Sequence, residues 1–257
     1  MKSILGIVVA MAPEAASLFG RCGWQPDGTL FRRLMTPDGG SEIAVVRAGI
    51  GLENAAAAAA RLVRLGAGAL VSLGLSAGLS PGLRPGDLVV AERCLLSDGR
   101  RLQGIWDCQS DTVNRVCGLL AAAGCRVRSG GLLSMPKAVL SAEDKAILWR
   151  RFGARAADME SAAVACTAAE AGVGWLVCRA VCDPAHRSVP AEWRQTVGAD
   201  GILRPGGIAA ALLGRPGLAL DLPLLGLQAF RALRSLRAAW RILQRSCPPG
   251  GPHGDGS

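Results

Sequence analysis

Residues Ile4–Ala10 form an unbroken apolar run rich in β-branched side chains. A strand covered on both faces buries such a run, so the chain calls for helices on two sides of a sheet. The pattern downstream meets that need. Ala12–Phe19 reads as a helix start with Pro13 in its first turn, Glu42–Ala48 as a strand and Asn54–Leu65 as an Ala-rich helix. Ala69–Leu73 and Asp87–Glu92 read as strands, Thr112–Ala123 as a helix and Gly130–Leu133 as a short strand. Ser141–Arg151 is a predicted helix with Ser141 and Asp144 spaced for N-terminal capping. Ala157–Ala171 is another helix, and Trp175–Val181 a strand ending at Asp183-Pro184. Strands alternating with helices predict an α/β fold, a single three-layer α/β/α domain over residues 1–203 with a mostly parallel, mixed sheet. A chain of 257 residues buries a full core of this kind.

Charge and cysteine usage narrow the partners. Lys+Arg is 29 against 20 Asp+Glu, a net charge of +9, and every basic residue but Lys2, Lys137 and Lys145 is arginine. Phosphates, nucleic acid and anionic lipid are all compatible with that charge. Nucleic-acid binding is not expected, because aromatics are 4% and no helix-turn-helix, RNP-like or zinc-finger pattern occurs. The 9 cysteines form no C-x-x-C pair, and His186 and His253 are the two histidines, so no metal site is expected. Free thiols in a reducing cytosol are the simplest reading, which places the protein in the cytoplasm. No uninterrupted apolar run is long enough to span a bilayer. The amino terminus lacks a clear A-x-A site and carries Glu14, so it reads as a buried strand rather than a signal sequence.

The carboxyl-terminal part differs in composition. Residues 204–245 hold seven arginines, no lysine and one acid, Asp221. Phe230, Leu233, Leu236, Trp240 and Leu243 recur at helical spacing beside Arg231, Arg234, Arg237, Arg241 and Arg245. This predicts a basic amphipathic helical extension over 204–247, followed by a disordered tail over 248–257. Its stripe suits either of two surfaces. One is an anionic membrane, contacted through 230–245, with arginines at lipid phosphates and Phe230 and Trp240 in the interface. The other is the domain itself, or another subunit.

Ligands of such sheets bind beyond the carboxyl ends of the strands. Glu14, Gly49–Gly51, Ser76 and Asp183 all fall just after predicted strands. Gly49-Ile50-Gly51 is a βα turn that either only reverses the chain or offers backbone amides to an anion or a sugar hydroxyl, with Arg47 just upstream. Gly74-Leu75-Ser76-Ala77-Gly78 reads as a second tight turn, in which Ser76 can donate or accept; it lacks the G-x-S-x-G spacing of a serine hydrolase. Asp158 and Glu160 suit a helix N-terminus, and Glu160 alternatively accepts two hydrogen bonds from a ribose diol. Asp183 either starts an Asp-Pro turn or, if desolvation raises its pKa, serves as a general acid. Glu14 is either a solvated helix acid or the group that positions a water or other nucleophile.

Taken in order, Ala10-Met11-Ala12-Pro13-Glu14, Ala48-Gly49-Ile50-Gly51 with Asn54, Ser76-Ala77-Gly78-Leu79 with Gly86–Val90, Asp158-Met159-Glu160-Ser161 and Arg179–Asp183 carry a likeness. Over roughly residues 1–190 the chain resembles the family of purine nucleoside phosphorylases and methylthioadenosine/S-adenosylhomocysteine nucleosidases. The resemblance implies an enzyme that cleaves the N-glycosidic bond of a nucleoside without a cofactor, with phosphate as co-substrate if it is a phosphorylase. It implies that Glu14 orients the nucleophile, that Ser76 and Gly51 line the pocket, and that Met159 and Glu160 hold the ribose, Glu160 on its 2′ and 3′ hydroxyls. Asp183 would protonate the purine N7 as the bond breaks. Arg47 and Gly49 are the phosphate candidates. Homo-oligomers are usual in the family.

Departures accompany the match. Cys182 stands where the adenine-specific branch usually has Ser, and Ser134–Leu140, the loop that usually stacks an aromatic on the base, has none, leaving Met135 or Val139 to cover a face. Gly74-Leu75-Ser76 replaces the arginine-bearing phosphate turn of many phosphorylases, so phosphate and water both remain open as nucleophile. The basic extension and Asp183-Pro184 look most like the hopanoid-associated branch, which implies adenosylhopane as substrate, adenine as product and a ribosyl or phosphoribosyl hopane left behind. Two alternatives are a soluble nucleosidase for methylthioadenosine, adenosylhomocysteine or futalosine, and a non-catalytic purine-binding protein.

Overall fold

The structure, a computed structural model, describes residues 4–21, 23–34, 41–190, 192, 198 and 204–246. The chain opens with β1 (Ile4–Val9), α1 (Ala12–Phe19), the antiparallel pair β2 (Thr29–Leu34) and β3 (Ser41–Arg47), α2 (Leu52–Arg64) and the long β4 (Ala67–Gly78). It continues through β5 (Leu88–Ser97), β6 (Leu102–Asp107), α3 (Ser110–Ala122), β7 (Val127–Ser134), α4 (Ala142–Phe152), β8 (Ala156–Asp158), α5 (Ser161–Glu170) and β9 (Gly174–Asp183). It ends with α6 (Pro205–Gly214), a 3₁₀ turn at Pro216–Leu220 and α7 (Leu222–Ser246). The predicted tail over 248–257, including His253, lies outside the described residues, as do Cys22 and Cys247.

β1 pairs in parallel with β3 and β4, so it is central and both of its faces are covered. Side-chain alternation divides the strands between two cores. Ile7 and Val9 join Ile43 and Val45 under α1, α3 and α7; Val8 joins Ala44 and Val46 under α2 and α5. The alanines of α2 let that helix lie close to the sheet. A Cβ on Gly6 would stand 2.8 Å from Leu70 Cδ2 and 3.1 Å from Leu62 Cβ, so glycine is needed there for approach rather than for backbone freedom.

The nine strands of the described residues form one mixed sheet. The path β4–β9–β5–β7–β8 returns to β4, because β8 pairs antiparallel with the end of β4 through Ala77–Ala157. This closure brings the ends of β4, β8 and β9 to one place. It requires β4 to run on through Gly74–Gly78, which the sequence reading took for a tight turn after Leu73. The segment is strand, with a register shift between Ser76 and Ala77 as β4 bends onto its new partners. Similarly, Ala157 and Asp158 belong to strand β8 and α5 begins at Ser161.

The stripe of α7 packs on the domain. Ala232, Leu236, Ala239, Trp240 and Leu243 are buried in the core that holds Ile7, Phe19 and Cys178, and the Trp240 ring meets Phe19 edge-on at 5.3 Å. Trp240, 4% exposed, is therefore not available to a membrane interface, a correction to the sequence reading. Its physical cause is that Phe230 and Trp240 lie on different sides of the helix: Phe230 is 62% exposed. Arg231, Arg234, Arg237, Arg241 and Arg245 are exposed as well.

Candidate active site

Four carboxylates and two cations lie buried or nearly so where β1, β4, β8 and β9 end. Glu14 sits in the first turn of α1, directly after β1, and is 1% exposed. Its Oε2 accepts from the Met11 amide at 2.8 Å and its Oε1 from the Leu75 amide at 2.8 Å. Burial raises its pKa, against the Arg179 charge. Gly74 makes room for this: a Cβ there would stand 2.8 Å from an Arg179 guanidinium nitrogen and 2.9 Å from Glu14 Oε1.

Arg179 is 2% exposed in the middle of β9. Its Nε donates to Asp158 Oδ2 at 2.6 Å, and a terminal nitrogen donates to Ser72 Oγ at 2.9 Å. Burial works against its charge, but the carboxylates of Asp158, Glu160 and Glu14 outweigh that and hold its pKa up. Asp158 also accepts from Ser134 Oγ at 2.6 Å and from the amide and hydroxyl of Ser161, so it caps α5 and anchors Arg179 together.

Glu160 follows at the N-terminal end of α5 and is 7% exposed. Its Oε1 accepts from the Gly51 amide at 2.9 Å and its Oε2 from the Met159 amide at 3.3 Å. Burial, then the Asp158 charge, push its pKa up to about 7, with Arg179 opposing. Gly51 takes a φ of 108° to aim its amide there, a conformation that favours glycine. Gly49, with φ 88°, donates its amide to Ala10 O at 3.0 Å.

Asp183 ends β9, paired in register with Ala77. Its Oδ2 is bonded by the ammonium of Lys145, which comes from α4 and has no solvent exposure. Burial raises the Asp183 pKa, against Lys145. Next to it, burial pushes the Cys182 thiol up to about 12, so a neutral thiol stands beside the carboxyl. Ser76 is 4% exposed in β4, opposite Val181, and its Oγ has no partner among the described residues. An unsatisfied buried hydroxyl is costly and suits a ligand-facing position.

The structure thus brings Glu14, Gly51, Ser76, Met159, Glu160 and Asp183 to one end of the strand ring. It does not bring Arg47 there: its guanidinium lies 5.9 Å over the Trp24 ring, and the side chain is exposed. Val139 is buried against Leu148 and Ala157, while half-buried Met135 packs on the same cluster. Sequence reasoning did not assign Arg179, Lys145, Ser72 or Ser134 to the site. Two of them left a signal, a charge inside the apolar run Trp175–Val181 and a lysine on the Leu148–Phe152 side of α4. Among the described residues no group of three or more His, Cys, Asp or Glu is placed to hold a metal ion.

A closed strand ring with carboxylates at its open end defines an enzyme fold of the nucleoside phosphorylase and nucleosidase class. The chain belongs to the phosphorylase superfamily, whose family model matches residues 4–203. Among solved structures it is similar to the S-adenosylhomocysteine nucleosidase of Streptococcus pyogenes in complex with 5-methylthiotubericidin. That likeness has 25% identity over 72% of this chain and 86% of the other, with a TM-score of 0.62. It is also similar in fold to the futalosine hydrolase of Helicobacter pylori, at 18% identity over 95% of this chain and 97% of the other, with a TM-score of 0.68. The 5′-methylthioadenosine/S-adenosylhomocysteine nucleosidase of the same organism, bound to butyl-thio-DADMe-Immucillin-A, matches at 18% identity over 95% and 97%, with a TM-score of 0.67. No curated protein sequence matches significantly.

Proposed function

We propose that the protein hydrolyses the N-glycosidic bond of a 5′-substituted adenosine, releasing adenine. The observation that carries this is the placement at one end of the strand ring of Glu14 and Glu160 around buried Arg179 and of Asp183 on buried Lys145, three carboxyls with raised pKa values. In the proposed reaction Glu160 accepts the ribose 2′ and 3′ hydroxyls, Asp183 protonates N7 so that the base leaves neutral, and Glu14 orients the attacking water and takes its proton. Each proton transfer is worth about 10²–10⁴-fold. Water is favoured over phosphate because the phosphate candidates are engaged elsewhere. The Gly49 amide bonds Ala10 O, and Arg47 lies over Trp24.

The substrate we favour is adenosylhopane, leaving a ribosyl hopane. The exposed surface of the carboxyl-terminal helices supports it. Leu224, Leu227 and Phe230 are 42%, 44% and 62% exposed, and they share the outward side of α7 with its five exposed arginines. A groove of about 530 Å³ beside that helix is lined by Arg126, Arg231, Arg234 and Ser235. Apolar side chains next to arginines fit a peripheral position on an anionic cytoplasmic membrane face, where each arginine contributes about 1 kcal/mol. No helix among the described residues is long and apolar enough to cross a membrane. We also propose a homo-oligomer, supported by the edge strand β6, whose Leu102 and Ile105 are 41% and 48% exposed.

The test is free adenine released from adenosylhopane and, separately, from 5′-methylthioadenosine, each with and without phosphate. Phosphate-independent release from adenosylhopane is expected, with Asp183→Asn abolishing it while the fold survives. Release that requires phosphate would make the enzyme a phosphorylase. Release from methylthioadenosine alone would leave the soluble nucleosidase reading, which the fold likenesses support.

A further inference from the structure

Lys145 is one of three lysines in a chain whose other basic residues are arginine, and its side chain is fully buried. Its ammonium has three N–H donors and three acceptors. These are Asp183 Oδ2, Pro184 O at 3.2 Å and Arg187 O at 2.8 Å. Two of the three are neutral backbone carbonyls that a neutral amine, with two N–H bonds, satisfies equally. The third is the carboxyl proposed as general acid, whose side chain keeps 15% of its surface exposed although the lysine behind it keeps none. Lys145 therefore touches the site only through Asp183.

We propose that Asp183 and Lys145 share the proton delivered to the leaving base, with Lys145 a positioning residue that bonds Asp183 as a carboxylate at rest and hands it the one proton that it passes on. This rests on the glycosidic-cleavage reading above. As the C1′–N9 bond breaks, its electron pair goes to the base, and a proton reaches N7 from Asp183. Asp183 Oδ2 takes a proton from Lys145 Nζ, which becomes a neutral amine still bonded to Pro184 O and Arg187 O. Water adds to C1′ and loses its proton to Glu14 and then to solvent, and Lys145 is re-protonated through the partly exposed Asp183 before the next turnover.

The charged and titratable groups facing Asp183 limit the alternatives. Lys145 comes from α4, and Cys182 is the adjacent neutral thiol. Arg187 comes from the following turn, where its guanidinium is bonded to Asp221 at 3.1 Å. Among the side chains of the described residues, that of Lys145 alone bonds the carboxyl directly. An arginine in its place would hold the charge and the carboxylate but could not yield a proton.

The experiment compares wild type, Lys145→Met and Lys145→Arg by two readouts. The first is the ¹³C carboxyl titration of Asp183, assigned by its loss in Asp183→Asn, which needs no turnover. The Asp183 midpoint should rise by about one unit or more in Lys145→Met, because an adjacent cation has been removed. The second is the pH profile of adenine release. Wild type should stay active above the Asp183 midpoint; Lys145→Met should lose activity as pH passes its own raised midpoint; Lys145→Arg should be active only below that of Asp183. If both variants keep the wild-type profile at lower amplitude, or the Asp183 midpoint does not move, Lys145 only ties down the 184–187 turn and the proposal falls. If wild type releases adenine from no adenosine derivative, the functional reading fails, and the titration still decides the Asp183–Lys145 coupling.

Discussion

Replacing Glu160 by glutamine should make the protein more stable and the site inactive. In the folded state the Glu160 pKa lies at about 7 against the ordinary value of 4.5, mainly because the carboxyl is buried. The folded protein therefore holds this proton more tightly than the unfolded chain, and stability falls as pH rises from 4.5 through 7. At about 1.4 kcal/mol per unit, ionised Glu160 costs about 3 kcal/mol above that window. Glutamine carries no charge and its carbonyl still accepts from the Gly51 amide, although its NH₂ group then faces the Met159 amide that bonds Oε2. Losing that weaker bond costs about 1 kcal/mol, so the net gain at pH 8 is about 2 kcal/mol. At pH 5, where Glu160 is protonated in the folded protein, the variant should show no gain. Urea unfolding of both proteins at pH 5 and pH 8 reads the difference directly. Adenine release should fall about 100-fold, because a carboxylate accepting from two hydroxyls is replaced by a single neutral acceptor. Stability curves that run parallel for Glu160→Gln and wild type across this range would refute the reasoning, since the cost would then not lie in Glu160 ionisation.

Gly74→Ala tests the close approach of Glu14 and Arg179. The new Cβ, 2.8–2.9 Å from both, must displace them by about half an ångström, and misplacement on this scale costs about 10–100-fold in adenine release. The accompanying stability loss, about 1–3 kcal/mol, is read from the thermal midpoint. Trp240→Ala should destabilise the domain by about 3–5 kcal/mol in urea unfolding, as expected for a buried aromatic packed on Phe19. Phe230→Ala, on the exposed side of α7, should leave unfolding unchanged within about 0.5 kcal/mol.

The elements most legible in the sequence were those whose burial is simple. β1 shows as an apolar run because both its faces are covered, and α1 shows through Pro13 and its boundaries. β2 and β6 left weaker patterns. Both are edge strands, and β6 alternates exposed and half-buried residues around Gly104, where one-sided pairing demands little of the side chains. The extension of β4 through Gly74–Gly78 was illegible for a different reason. Two glycines and a serine carry turn chemistry locally, and only the closure onto β8 and β9 makes them strand. The site divides in the same way. Glu14 and Asp183 follow predicted strands and Glu160 stands at the start of a predicted helix, all in motif order, so the sequence points to them. Arg179 and Lys145 reach them across β9 and from α4, and such pairings depend on topology that no local spacing encodes.

The balance of charge explains why these carboxyls and cations belong together. Glu14, Asp158, Glu160 and Asp183 face Arg179 and Lys145, so full ionisation would leave an excess of negative charge in a buried volume. The raised pKa of Glu160, about 7, relieves part of that excess in the resting protein. A ribosyl group that becomes cationic as its base departs would reverse the balance. It would stabilise the ionised forms of Glu14 and Glu160, the form in which Glu14 can orient and deprotonate a water, and favour passage of the proton from Asp183 to the base. Groups held in place for a charge that exists only in the transition state favour the reaction over binding of the intact nucleoside. A phosphate dianion brought to the same place would meet Glu14 and Glu160 with Arg179 already committed to Asp158 and Ser72. The same electrostatics that suit an oxocarbenium ion therefore support water as the nucleophile.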